Sequence, residues 1–225
     1  MKLLASGREA DVYDVGDGRV LRRYRNGHRS VGDEALVMRH ARQHGVRVPE
    51  VHRVAGGDLE MERIDGPTMV DAMVNGALPI DDGAVALASL HHDVHHVPAL
   101  RSQAPEHRLL HLDLHPYNVI MATDGPVLID WPHATDGPPD LDVAVTAVIL
   151  AQVVHLPGPH AELAAAFLES FTTRVAPPPR QMIAAAATRR AADANLTPAE
   201  HAALPSAVAM LHQLFGHRTP DQSDS

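Results

Sequence analysis

Cysteine is absent from the sequence, lysine occurs once, and aromatic residues make up only 3% of it. Without cysteine there are no disulfides and no thiolate metal ligands, a composition suited to a reducing compartment. With so few aromatics, the core must be built from Ala, Val and Leu. Lys2 is the only lysine among 19 Lys and Arg residues, so arginine takes nearly every place where a cation is needed. The formal net charge of −9 offers no basic face to a phosphate backbone, which argues against nucleic acid as a partner. No apolar run reaches the roughly 20 residues of a membrane span. The opening "MKLLASGREADVY" also lacks a signal-peptide core. No membrane partner is therefore expected, and the location expected is cytoplasmic.

What is present describes an ordinary globular chain: 225 residues, 45% hydrophobic and 21% charged, enough for one large or two small domains. The first sixty or so residues read as strands with one helix. "ADVYDVG" and "RVLRRYR" form a hairpin about Gly16-Asp17-Gly18. "GDEALVMRHARQHG" has helical spacing, with Ala35, Leu36, Met38 and Ala41 on one side and a stop at Gly45. "VPEVHRVAGGDLEMERIDG" supplies two more strands around Gly56-Gly57. From Gly66 the pattern turns helical, beginning with "DDGAVALASLHHDVHHV", which has acidic residues at its positive end and a stop near Pro98. Three helical stretches follow "DGPPD", the third running from Arg180 to Leu196. Pro205 is expected to kink or divide the last helix. The tail from His217 to Ser225 has the composition of a disordered segment.

One segment carries the chemistry. "HLDLHPYNVIMATDGPVLIDW", from His111 to Trp131, places Asp113 and Asn118 five apart, with Asp130 at the end of the apolar run Val127-Leu128-Ile129. Moving a phosphoryl group needs a metal on the phosphates, a carboxylate beside the attacking hydroxyl and a cation holding the donor. Magnesium prefers hard oxygen ligands, which Asp and Asn supply. An acid, an Asn, a short hairpin and a second acid therefore suit a magnesium–nucleotide site. The histidines of "HHDVHHV" form two i,i+4 pairs, His91 with His95 and His92 with His96. They lack an intervening Glu and an evident third ligand, so a partly exposed helix face is expected rather than a zinc site. Asp136 and Asp140 read as loop acids.

"HLDLHPYN" resembles the H-x-D-x-x-x-x-N catalytic loop of the kinase fold, and "LIDW" stands where protein kinases have D-F-G. The wording "DLHPYN" is similar to that of the aminoglycoside phosphotransferase and choline-kinase-like family. The resemblance implies an α+β, two-lobed, protein-kinase-like fold: an N-terminal lobe over residues 1–65, with a small antiparallel sheet and one helix, and a mainly helical C-terminal lobe over 66–216. It implies His111 as the brace of the loop, Asp113 as the catalytic base, Asn118 and Asp130 as Mg2+ ligands, and Asp142 in "PPDLDVA" as a structural brace. Upstream, Ser6 and Gly7 match the phosphate-covering loop. Arg22, with Arg23 as a register alternative, occupies the place of the phosphate-binding lysine. Glu34 is placed to pair with it, and the backbone near Glu62 and Arg63 matches the hinge that meets adenine.

The activity implied is transfer of the γ-phosphate of ATP or GTP to a hydroxyl of a small molecule, such as an aminoglycoside-like compound, another antibiotic or a metabolite. Two departures bear on it. Arginine in the lysine position, with a loop poor in glycine, motivates the alternative of a nucleotide-binding pseudokinase acting as a regulatory module. Leu112 in place of the Arg of H-R-D, Trp131 in place of Phe and a short following segment argue against protein substrates and phosphorylation control.

Overall fold

The computed structural model describes residues 1–25 and 31–216, so the tail expected to be disordered lies outside the described residues. Strands β1 (Lys2–Ser6), β2 (Ala10–Gly16), β3 (Arg19–Tyr24), β4 (Val51–Ala55) and β5 (Asp58–Glu62) form an antiparallel sheet in the order β1-β2-β3-β5-β4. The β2–β3 hairpin turns through Gly16, Asp17 and Gly18, all at positive φ. The helix α1 (Val31–Gln43) buries Val31, Glu34, Ala35, Val37, Met38 and Ala41, and Gly45 at φ 91° follows its end. Leu36, expected on the buried side, is 46% exposed; Val37 takes its place. One residue is 100° on a helix, enough to swap a face.

The rest is mainly helical: α2 (Met69–Val74), α3 (Ile80–His96), α4 (Pro139–Val154), α5 (Ala161–Thr172), α6 (Arg180–Ala191) and α7 (Pro198–Gly216). Every residue of α4 from Asp142 to Gln152 is buried, and α5, α6 and α7 all pack on it. A helix apolar all round belongs at the centre of such a bundle. Two corrections concern this part. α6 stops at Ala191 rather than Leu196, and Pro205 does not divide α7, which continues through it as one helix. Pro205 forfeits one backbone hydrogen bond, but buried Leu204, Ala207 and Leu211 hold both halves of the helix to the core.

Between these parts lie two small pairings. Strands β7 (Val119–Ala122) and β8 (Gly125–Leu128) form the expected hairpin. β6 (Arg108–Leu110) pairs with β9 (Thr135–Gly137), where only a loop was expected. β1, α2 and the β6–β9 pair were not anticipated. β1 is exposed along its whole length and shows no alternation, and the others are six residues or fewer, too short for a periodic signal.

The passage from sheet to helices runs through Gly66, whose φ is 153°. Next to it the Met121 amide donates to Pro67 O at 2.9 Å, and Thr68 bridges Ile120, so the connection is stitched to the β7–β8 hairpin. A Cβ on Gly66 would fall 2.4 Å from Met121 O, a backbone atom that cannot rotate away. Gly66→Ala is therefore expected to lower stability by about 2–3 kcal/mol in urea denaturation. Gly57→Ala, whose added carbon finds Tyr24 O at an unstrained 3.9 Å, should stay within about 0.5 kcal/mol.

Candidate active site

The loop from His111 to Asn118 leaves β6 through Leu112 at φ 59°, a costly conformation for a bulky side chain. Asp142, in the first turn of α4 and wholly buried, holds it there. Its Oδ1 accepts the Leu112 amide at 2.7 Å and its Oδ2 accepts the His111 amide at 3.1 Å. His111 is also fully buried. Its Nδ1 accepts the Asp113 amide at 3.2 Å, so the proton sits on Nε2, which donates to Ile129 O at 3.1 Å. That bond joins the loop to the strand end carrying Asp130, and the ring packs edge-on against Trp131.

At Asp113, Oδ1 lies 3.3 Å from His115 Nε2, and the Asn118 side-chain amide donates to Asp113 O at 2.8 Å and to Oδ2 at 3.0 Å. Burial alone would raise the Asp113 pKa. The hydrogen bond and charge of His115, with His111 and His133 behind it, outweigh burial and hold it at about 2. The carboxylate is thus charged, a good hydrogen-bond acceptor and a weak proton acceptor. Asn118 keeps its Oδ1 outside these bonds. That oxygen and the Asp130 carboxylate are hard donors of the kind magnesium takes.

Arg22 reaches this site from β3, while Arg23, one residue on and on the opposite sheet face, pairs with Asp58 at 2.7 Å. Arg22 Nη1 lies 2.9 Å from Glu34 Oε1 and Nη2 lies 2.6 Å from Asp130 Oδ1. The Tyr24 hydroxyl donates to Glu34 Oε2 at 2.6 Å, and the Trp131 amide also donates to Glu34. Burial would lower the Arg22 pKa, but the charges of Asp130 and Glu34 raise it above its ordinary value, so the guanidinium stays charged.

The loop after β1 is tied down from beneath. Ser6 Oγ donates to Asp11 at 2.7 Å and the Gly7 amide donates to Ala10 O at 2.9 Å. Arg25 donates to Ser6 Oγ, Gly7 O and Asp11. At the expected hinge, the Glu62 amide is taken by Glu50 O and the Arg63 amide by Gly18 O, both at 2.8 Å. Ile64, next along, has no such bond and lines the same wall. Ser6, Arg22, Ile64, Asp113, Asn118 and Asp130 all border one cavity of about 1070 Å³, whose far side is formed by α5 and the segment after α6.

A protein-family model described as the RIO domain matches residues 19–140, from β3 to the start of α4. The chain belongs to the RIO domain family. No curated protein sequence matches it. Solved structures resemble this RIO domain chain along nearly its whole length. An amicoumacin kinase in complex with AMP-PNP, Ca2+ and Ami is 16% identical with TM-score 0.55, covering 100% of this chain and 90% of that one. A choline/ethanolamine kinase family protein from Mesorhizobium loti is 16% identical with TM-score 0.61, covering 99% and 89%. The aminoglycoside phosphotransferase APH(4)-Ia is 14% identical with TM-score 0.61, covering 97% and 93%. At these identities the likeness shows a kinase-like fold, an N-terminal antiparallel sheet joined to a helical part. The resemblance expected from "DLHPYN" thus holds for the kinase-like fold, while the family shown by the sequence is the RIO domain.

Several residues at the site of this RIO domain chain escaped sequence reasoning. Tyr24 had no signal beyond its place in an alternating strand, whereas His115 stood inside the quoted motif. Asp136 is a brace, accepting the amides of Leu100, Arg101 and Ser102. The expectation for "HHDVHHV" holds for the exposed His92 and His96 but not for the other pair: His91 is only 2% exposed and His95 Nε2 sits 3.1 Å from Asp142 Oδ2. Packing of α3 on α4 turned that face inward.

Two predictions follow from these charges. Arg22→Met leaves Glu34 buried without its cation and should cost about 3–5 kcal/mol in denaturant unfolding; adding Glu34→Met should recover most of it. Asp113 has a lowered folded-state pKa, so its contribution is present above the unfolded value near 4 and is lost as pH falls through about 2. Asp113→Asn should therefore flatten the fall in stability below about pH 5, measured as urea midpoints across pH.

Proposed function

We propose that the protein transfers the γ-phosphate of ATP or GTP to a hydroxyl group of a small molecule, with the sheet and the helical part meeting near Asp65 and Gly66 as its two lobes. The observation that carries this reading is the convergence of Asp113, Asn118, Asp130 and Arg22 on one cavity from three separate parts of the chain: the loop after β6, the end of the β7–β8 hairpin and β3. Asp113, charged and held by Asn118 and His115, would accept a hydrogen bond from the attacking hydroxyl and orient it. Its low pKa suits orientation and late proton acceptance better than early deprotonation. Arg22, locked by Glu34, would turn its second nitrogen from Asp130 to the phosphates of the donor. Asn118 Oδ1 and Asp130 would hold magnesium, which when bound offsets the charge of the phosphates. The Ile64 amide supports an adenine contact one residue beyond the expected pair.

The small acceptor is supported by the shape of the cavity. β9 pairs with β6 directly after Asp130, leaving no long segment on which a protein substrate would lie. His160 just before α5, Phe167 within it and Asp193 beyond α6 close that side instead. A second reading, nucleotide binding without transfer, draws on the Arg22–Asp130 contact at 2.6 Å, which joins the phosphate clamp to a metal ligand.

The two readings separate in one assay. Magnesium-ATP and magnesium-GTP consumption is measured across hydroxylated metabolites and antibiotics. Asp113→Ala is expected to abolish turnover while nucleotide affinity stays within a few-fold of the unaltered chain. Nucleotide binding with no turnover on any acceptor supports the second reading, and undiminished turnover in Asp113→Ala sinks the mechanism.

A further inference from the structure

Beneath the catalytic loop, on the side away from the cavity, α3 and α4 bring together two histidines and a carboxylate that the phosphotransfer site does not use directly. His91, His95 and Asp142 each offer a ligand atom within 4.8 Å of the others, the one such His/Cys/Asp/Glu group among the described residues. His95 Nε2 lies 3.1 Å and His91 Nδ1 3.8 Å from Asp142 Oδ2. A tetrahedral zinc ion with arms of roughly 2.0–2.2 Å spaces its ligand atoms about 3.3–3.6 Å apart. The two spacings to Asp142 Oδ2 bracket that range.

The protonation pattern points the same way. Thr146 Oγ1 donates its single proton to Leu114 O at 2.6 Å, so the contact at 3.0 Å between Thr146 Oγ1 and His91 Nε2 needs the proton on nitrogen. His91 is therefore the Nε2–H tautomer, and its Nδ1 carries a lone pair. That nitrogen is buried, has no hydrogen-bond partner and lies on the side facing Asp142. A buried unpaired nitrogen is costly, and a bound cation satisfies it. The proton on Nε2, held by Thr146, fixes the imidazole as an outer hydrogen bond fixes a metal-bound histidine. The Asp142 oxygens already accept the His111 and Leu112 amides, which orient the carboxylate in the same manner.

We propose that His91 Nδ1, His95 Nε2 and Asp142 Oδ2 form a structural site for Zn2+ or a similar borderline divalent ion. His95 moves its ring proton to Nδ1 on binding, and the metal replaces the hydrogen bond it gives to Asp142. Its side chain, 13% exposed, marks the route of entry and the place of a water as fourth ligand. The consequence is mechanical: the ion would clamp α3 to the carboxylate that holds Leu112 in its left-handed conformation.

The test uses the tag-free full chain, stripped with a chelator and titrated with Co2+ and Zn2+. One equivalent per chain is expected, with the intense visible bands of four-coordinate cobalt, and with Zn2+ displacing Co2+. His95→Ala and His91→Leu should each weaken binding at least 100-fold, whereas His92→Ala and His96→Ala on the outer face of the same helix should not change it. The cobalt spectrum of the unaltered chain decides independently of how either variant folds. A six-coordinate spectrum, no stoichiometric binding, or binding that survives His95→Ala overturns the site.

Discussion

The strained peptide at Leu112 can exist only because one buried carboxylate receives it. Asp142 carries a full charge into a place with no solvent, which is affordable because three donors converge on it: two loop amides and His95. Desolvation pushes its pKa up, but the His95 bond and the neighbouring imidazoles pull it well below the ordinary carboxylate range. The carboxylate stands in the first turn of α4, where the helix dipole favours negative charge. Because α4 is encased by α5, α6 and α7, the loop inherits the rigidity of the most buried helix in the chain. Asp113 is thereby positioned from below by the core as well as by Asn118 and His115.

The opposite wall is positioned by a different economy. Arg22 meets Glu34 of α1 with one nitrogen and Asp130 of the hairpin end with another, so a single guanidinium spans sheet, helix and the segment after β8. A lysine ammonium is a compact point and would have to favour one carboxylate. Arginine's fork holds both at once. Its ring contact with Tyr24, at 5.0 Å, and the Tyr24 hydroxyl on Glu34 leave this network with little freedom. In a chain with one lysine, the substitution of Arg at this position is matched by partners arranged for a fork.

Much of this was legible because motif order survives where local pattern is weak. Spacing grouped Asp113, Asn118 and Asp130, which border one cavity, and the family resemblance paired Glu34 with Arg22, which lie 2.9 Å apart. Choosing Arg22 over Arg23 required the register of β3 against β5, which pairs Arg23 with Asp58. The β6–β9 pair, three residues on each side, falls below any periodic signal. Two histidines of α3, His91 and His95, were misplaced for a physical reason. Four histidines in six residues read as a polar face, yet His91 sits between Leu87 and Val94 on the buried stripe, and only the packing of α4 reveals its partners.

A gradient of stability runs across the cavity. Behind it, Glu34, His111 and Asp142 are buried and Arg22 is half-buried against Glu34, and opening the Arg22–Glu34 or His111–Asp142 contacts leaves an unpaired charge or donor. At its rim, Arg8 reaches Asn195 O at 2.8 Å and Glu200 at 3.0 Å, while Asn195 donates to Glu9. These bonds tie the loop after β1 to the chain leading into α7, but Arg8 is half exposed and such pairs contribute about 1 kcal/mol or less each. The rim can part at small cost while the Arg22–Glu34 and His111–Asp142 contacts at the back cannot, so under the proposed reading only the Arg22–Asp130 contact would exchange for a ligand. That ordering, loose where molecules must pass and tight where atoms must be aligned, follows from where the chain buried its charges.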